Sequence, residues 1–159
     1  VTINSAAVSD PELLSRASLA FGSQCVVLAI DAKLSPSPGQ WEVHTHGGTR
    51  ATGIDAVAWA TEGARRGAGE ILLTSIDSDG EQGGYDLELT AAVASAVSVP
   101  VIASGGAGSV ADVAAALTAG RADAALLASM LHTGRLTIEE IKASLAALGI
   151  PVRMTRPDH

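Results

Sequence analysis

Four places in the sequence put a chemically useful residue directly after an apolar run. Asp31 follows Cys25 to Ile30, and Asp77, with Asp79 two residues on, follows Ile71 to Ile76. Ser104-Gly105-Gly106 follows Val99 to Ala103, and Ala128-Ser129 closes the run Ala124 to Ala128. If the runs are strands of a βα fold, these positions are the strand ends where such folds bind ligands. A carboxylate held there, such as Asp31, can act as general acid or base once its surroundings tune it. The competing reading of Asp31 is a surface carboxylate paired with Lys33. Taken singly, every one of these positions also suits a helix cap or a turn. Their coincidence at four successive strand ends is what points to an active-site rim.

Ser104-Gly105-Gly106-Ala107-Gly108 is the most informative segment. Glycines between a strand and a helix let the backbone approach an anion, and the free N–H groups of the helix start point at it. The alternative is a tight turn without a ligand. After Ala128-Ser129, Met130-Leu131-His132 can form one extra helical turn. Loops after the last two strands of a βα barrel, with such a turn, are its usual phosphate site. Asp77-x-Asp79 invites a hard cation, yet no third carboxylate or His has suitable spacing, so no metal site is expected. His44 and His46 share a face of an expected hairpin strand, but two ligands do not close a zinc site, and they read as solvated. Cys25 reads as a small residue inside an apolar strand. No local Ser–His or Cys–His pairing, P-loop or G-x-G-x-x-G is present, and no cofactor is expected.

The elements that must position these residues alternate in texture. The four apolar runs are apolar on both faces, as strands of a buried parallel sheet are. Between them, Leu89, Val93 and Val97, and then Ile138, Ile141, Leu145 and Leu148, recur with helical spacing. Asp10-Pro11 reads as N-cap and first helical residue, and Gly22 as a helix stop. Thr52 to Asp55 and Ser109 to Asp112 resemble capping boxes with Asp for Glu, and Thr137 to Glu140 is the full form. The expected order is a helix, then strand and helix four times over, favouring a parallel sheet with right-handed crossovers. Pro36 to Thr52 interrupts it with the alternating run Gln40 to Thr45 and a Gly47-Gly48 turn, read as a β-hairpin. Gly67-Ala68-Gly69-Glu70 and Gly120-Arg121-Ala122-Asp123 form a weak repeat before two of the strands. Four such units make half of an eight-unit barrel, which usually takes about 250 residues.

Composition bounds the function. The chain has 159 residues, 47% hydrophobic and 17% charged, which suits one ordered domain. With 3% aromatic residues, the core must come from Ala, Val, Leu and Ile. A net charge of -7 speaks against a nucleic-acid partner. A single cysteine excludes an internal disulfide and fits a reducing, cytoplasmic setting. No apolar run approaches the roughly 20 residues of a membrane helix, and the start does not read as a signal peptide.

Longer ordered motifs carry a resemblance. Phe21-Gly22-Ser23-Gln24 with Ala29-Ile30-Asp31-Ala32-Lys33, Gly69 through Asp77, Gly84-Tyr85-Asp86 and Ile102 through Gly108 are similar to the cyclase subunit of imidazole glycerol phosphate synthase. So are Ala128-Ser129-Met130-Leu131-His132 and Gly149-Ile150-Pro151-Val152-Arg153. The resemblance runs from Val1 to Arg153. It implies a (β/α)8 barrel of histidine biosynthesis that takes ammonia from a glutaminase partner and a substrate with a phosphate at each end. The products are imidazole glycerol phosphate and an aminoimidazole carboxamide ribotide. It implies Asp31 as catalytic acid or base, and one phosphate on Ser104, Gly105, Gly106, Ala128 and Ser129. Thr74, Asp79 and Gly80 would line the middle, and Asn4 and Ser5 part of the second phosphate site.

Only the C-terminal half of that family is matched, from the end of its fourth strand. The family's other catalytic aspartate, on its first strand, has no counterpart here, nor does the glycine-rich turn holding the second phosphate. Residues 1–153 are therefore expected as a half-barrel with a hairpin near 36–52, and 154–159 as a flexible tail. A half-barrel leaves sheet edges and an apolar face to be covered, by an N-terminal half or a second copy. The start at Val1 rather than Met adds the expectation of a fragment of a longer polypeptide. The sister two-phosphate isomerase of the pathway, and a non-catalytic half-barrel that binds phosphate or only assembles, are the alternative functions.

Overall fold

The computed structural model describes residues 1–81, 83–132, 134 and 136–153, with Ser129 described by its backbone alone. The expected tail, 154–159, lies outside the described residues. β1 (Thr2–Ile3) leads into α1 (Ser5–Ser9) and α2 (Glu12–Phe21). β2 (Val27–Leu34) leads through a hairpin, β3 (Trp41–Thr45) and β4 (Arg50–Asp55), into α3 (Ala56–Arg65). Then β5 (Glu70–Ser75) alternates with α4 (Leu87–Ala96), β6 (Val101–Ser104) with α5 (Val110–Leu117), and β7 (Ala124–Ala125) with α6 (Ser129–His132) and α7 (Ile138–Ala147).

One seven-stranded sheet runs β4-β3-β2-β5-β6-β7, with β1 also beside β2. β1, β2, β5, β6 and β7 are parallel, and the hairpin is antiparallel to β2 and within itself. β5 takes one edge of β2 along Val27 to Ala32. The opposite edge is shared: β1 pairs at Val27 and Leu28, and β3 pairs from Asp31 to Leu34. The hairpin thus extends the sheet above the point where β1 ends. An α/β chain with consecutive parallel βα units is what the apolar runs and helical periods require, and it is consistent with a (β/α)8 barrel.

The two sheet faces differ. Leu28, Ile30, Ile71, Leu73 and Val101 point to one face and are buried against Leu14, Trp59, Leu89 and Val93 from the helices. Each fully buried Leu or Ile there contributes roughly 1.5–3 kcal/mol. On the alternate face, Val27, Leu72 and Ile102 are half-buried. A second cluster, around Val113, Ala116, Met130, Ile141 and Leu145, joins α5, α6 and α7.

Several local expectations change. Asp31 does not end its strand but lies inside β2, because the hairpin gives Asp31 to Leu34 ladder partners. Cys25 is exposed in a 3-10 turn rather than buried in a strand. Of Ala124 to Ala128, only Ala124 and Ala125 pair. Asp10 lies one residue before the N-cap position of α2, with the Glu12 and Leu13 N–H groups of the first turn toward its carboxylate. Its carboxylate binds Arg16 at 2.6 Å, and Pro11 takes the N-cap position. Thr52 belongs to β4, where its hydroxyl donates to the Val43 carbonyl. The cap of α3 is Asp55, accepting from the Ala58 N–H at 2.8 Å. Ser109 caps α5 through the Asp112 N–H, and the Thr137–Glu140 capping box is complete. His46 sits in the turn at φ 55, off the strand face of His44.

Candidate functional site: a row across the sheet

Register places the polar candidates in line. Asp31 pairs with Thr74, and Thr74 with Ser104, so these side chains form one row across β2, β5 and β6. Neighbours in such a row are about 4.8 Å apart. Alternation puts the row on the face opposite buried Ile30, Leu73 and Ala103, and all its members are half-buried. On the other side of Asp31 the row continues to His44, whose Nδ1 lies 3.0 Å from the Gly48 carbonyl oxygen.

Asp31 is also held from the end of β1. Asn4, just past β1, donates from Nδ2 to Asp31 Oδ2 at 2.9 Å. A carboxylate only accepts, so this contact fixes which way the amide points. Asn4 Oδ1 is then left buried without a hydrogen-bond partner among the described residues, an acceptor suited to an N–H or O–H donor. Nothing in the spacing of positions 4 and 31 announced this pair, which depends on the parallel register of β1 and β2. Asp31 makes no ion pair with Lys33 among the described residues.

Two clefts open beside the row. One, of about 180 Å³, is lined by Asp79, Gly80, Ser104, Gly105, Gly106, Ala107, Leu126 and Ala128. The other, of about 250 Å³, is lined by Asp31, Thr74, Ile76, Asp79, Gly47 and Gly48. Asp79 belongs to both. Thus Asp31, Thr74, Asp79, Gly80, Ser104, Gly105, Gly106 and Ala128 come together. Asn4 reaches them through Asp31, and Ser5 stands off, its hydroxyl accepting from the His46 N–H at 3.1 Å. The part expected of the Ser129 side chain lies outside what is described. The hairpin tip Gly47-Gly48 was legible as a turn but not as a wall of the Asp31 cleft.

The electrostatics are one-sided. The ionisable side chains lining the two clefts are Asp31 and Asp79. An anion in the first cleft therefore depends on N–H and hydroxyl donors to outweigh a nearby carboxylate. The Gly105 and Gly106 N–H groups donate to no described residue, and Ser104 adds a hydroxyl. The α5 start is less free than glycine spacing suggests, since Gly108 N–H and Ser109 Oγ both donate to Asp112 Oδ2. The glycines also have a packing reason. A Cβ on Gly105 would lie 2.8 Å from the Ser75 carbonyl oxygen, and one on Gly106 2.1 Å from that of Gly84.

Asp77 has a different task, accepting from the Leu34 N–H at 2.7 Å and tying the end of β2 to the loop after β5. No group of three or more His, Cys, Asp or Glu residues suited to a metal occurs among the described residues. No described helix is long and apolar enough to cross a membrane.

Residues 1–137 match the histidine biosynthesis protein family. The chain is 57% identical over 161 residues to imidazole glycerol phosphate synthase subunit HisF of Thermosynechococcus vestitus, covering 99% of this chain and 57% of that protein. Against HisF of Trichormus variabilis it is 57% identical over 156 residues, 97% of this chain and 61% of the relative. Against HisF of a Synechocystis species it is 58% identical over 158 residues, 98% and 60% respectively. The chain therefore spans about three fifths of the length of the curated relatives it matches. With this match over most of its length, carried on parallel βα units, the chain belongs to the histidine biosynthesis protein family.

Proposed function

We propose that residues 1–153 are the C-terminal half of a (β/α)8 barrel with cyclase (lyase) activity, and that Asp31 is its general acid or base. Ammonia and a two-phosphate ribulosyl-formimino aminoimidazole carboxamide ribotide are the substrates. Imidazole glycerol phosphate and aminoimidazole carboxamide ribotide are the products. Asp31 moves protons during ammonia addition and ring closure, with Asn4 limiting its rotation. Ser104, Gly105, Gly106, Ala128 and Ser129 hold one phosphate. Thr74, Asp79 and Gly80 face the middle of the substrate, and Asn4 with Ser5 contributes to the second phosphate site. The observation that carries this reading is the row itself. It sets Asp31 and the Ser104-Gly105-Gly106 loop about 10 Å apart, on either side of Thr74, a spacing that supports a proton-transfer group beside an anion-binding loop. Their clefts share one wall.

The relatives are named as subunits of a synthase, which supports a second protein, here a glutaminase supplying ammonia in the cytoplasm. An N-terminal half-barrel, or a second copy of this chain, covers the half-buried sheet face and supplies the remaining catalytic carboxylate.

The test is ammonia-dependent turnover of the two-phosphate substrate by this chain combined with the N-terminal half of a relative. Asp31→Asn is expected to lower kcat by about 10²–10⁴ with little change in KM, as loss of a general acid–base group does. Full activity in Asp31→Asn removes Asp31 from the mechanism. Turnover of the sister isomerase's substrate instead would reassign the reaction.

A further inference from the structure

Gly84-Tyr85-Asp86 does not line either cleft, yet these consecutive residues hold two loops of the rim and the base of the hairpin. The Gly84 N–H donates to the Gly106 carbonyl at 2.8 Å, and the Gly84 carbonyl occupies the space a Cβ on Gly106 would need. The loop after β6 is thereby locked against this segment. Tyr85, 6% exposed, donates its phenol O–H to the Leu126 carbonyl at 2.9 Å. Asp86 accepts from Trp41 Nε1 at 3.0 Å through one oxygen and caps α4 through the other, at the Leu89 N–H. That fastens the base of the hairpin whose tip walls the Asp31 cleft.

The Tyr85 bond has the most direct bearing on the anion cleft. The β7 ladder ends at Ala125, so the strand itself does little to hold the segment Leu126 to Ala128. Leu126 is fixed by its own N–H on the Ala103 carbonyl at 2.8 Å and by the Tyr85 hydroxyl on its carbonyl. Leu126 and Ala128 form the wall facing Gly105 and Gly106. Burial, with the charge of Asp112 second, pushes the Tyr85 phenol up to about 12, so it remains a donor across the neutral range.

We propose that Tyr85 is a positioning residue of the anion rim: by holding the Leu126 carbonyl it sets the spacing between Gly105-Gly106 and Ala128, and with it phosphate affinity. This rests on the phosphate reading of that cleft. A single buried hydrogen bond acting through placement of the wall is worth about tenfold in affinity.

The experiment titrates inorganic phosphate into the 159-residue chain and follows the amide resonances of Gly105, Gly106 and Ala128. Three proteins are compared: wild type, Tyr85→Phe, and Leu145→Ala as a destabilised control in the same core cluster. Expected is saturable binding by wild type, about tenfold weaker binding by Tyr85→Phe, and near-wild-type affinity in the control at a temperature where all are folded. Wild type that binds no phosphate at these amides overturns the phosphate reading and this proposal with it. Wild-type binding retained in full by Tyr85→Phe overturns the positioning role alone. A loss in the control equal to that in Tyr85→Phe reduces Tyr85 to a structural residue.

Discussion

A glycine in this rim answers to two demands, and the second is visible only in three dimensions. Gly106 has φ +101, a conformation strained for any side chain, and the Gly84 carbonyl oxygen stands 2.1 Å from where its Cβ would lie. Gly106→Ala is expected to destabilise the chain by ~2–4 kcal/mol, combining left-handed strain with a backbone clash. Gly47, at φ +67 with nothing within 4 Å of its Cβ position, carries only the first term, so Gly47→Ala is expected to cost about 1 kcal/mol. Denaturant midpoints of the two variants decide it. Equal losses would mean that the loop after β6 yields to a side chain, and the interlock with Gly84 would lose its support. Ser104, Thr74 and Asp31 show the same division of labour. Their types suggested chemistry, but their alignment is a property of strand register.

At the scale of elements, the hairpin does most to shape the site's surroundings. The hairpin draws four residues of β2 into a ladder and brings Gly47-Gly48 over Asp31. Outside the two clefts, α2 and α3 are joined by charge. Arg66 pairs with Glu12 on α2 and with Glu62 on α3, and Glu62 also takes two bonds from Arg65. Arg65 first and Arg66 after it hold the Glu62 carboxyl down at about 2, from an ordinary 4.5. A carboxylate lowered on folding stabilises the fold above its unfolded value, and that contribution is lost as pH falls through the folded one. Wild type is therefore expected to exceed Glu62→Gln in stability at neutral pH. The gap should close as pH drops from 4.5 toward 2. Because Arg65 and Glu12 are exposed and Glu62 is only half-buried, the gap is small and shrinks with salt. Denaturation curves across that pH range test it, and a gap that persists near pH 2 would exclude the ion cluster as its source.

For the whole molecule, the telling feature is an asymmetric sheet. Helices bury the face of Leu28, Ile71 and Val101 completely, while Val27, Leu72 and Ile102 on the other face stay half-buried and Leu126 is 43% exposed. Apolar surface of this kind, next to a sheet edge made by the two-residue strand β7, favours association. The chain alone is expected to self-associate, with a melting temperature that rises with protein concentration. Addition of the N-terminal half of a relative should replace that self-association with a one-to-one complex. Sedimentation at several concentrations reads both. A monomer whose melting point ignores concentration and the added half would argue against the half-barrel reading.

Much of this was legible before any coordinates. Continuous apolar runs, helical periods and capping residues such as Thr137 and Ser109 are local, and local sterics and hydrogen bonding largely set the element to which they belong. The same locality marked Asp31, Thr74 and Ser104-Gly105-Gly106 as candidates, through strand-end chemistry and family motifs. Other outcomes were not local. Asp31 became a mid-strand residue because the hairpin that follows β2 folds back and pairs with it, and Cys25 left its apolar run for an exposed turn. Asn4 met Asp31 only through the register of two strands separated by two helices. Asp77 and Gly84-Tyr85-Asp86 found tasks as anchors between loops. The chain by itself determined which residues could do chemistry and which elements would carry them, since those follow from side-chain type and short-range periodicity. Tertiary structure alone decided which residues share a row, which carboxylate is braced and which loops are clamped, because register and loop packing are settled by contacts between segments far apart in sequence.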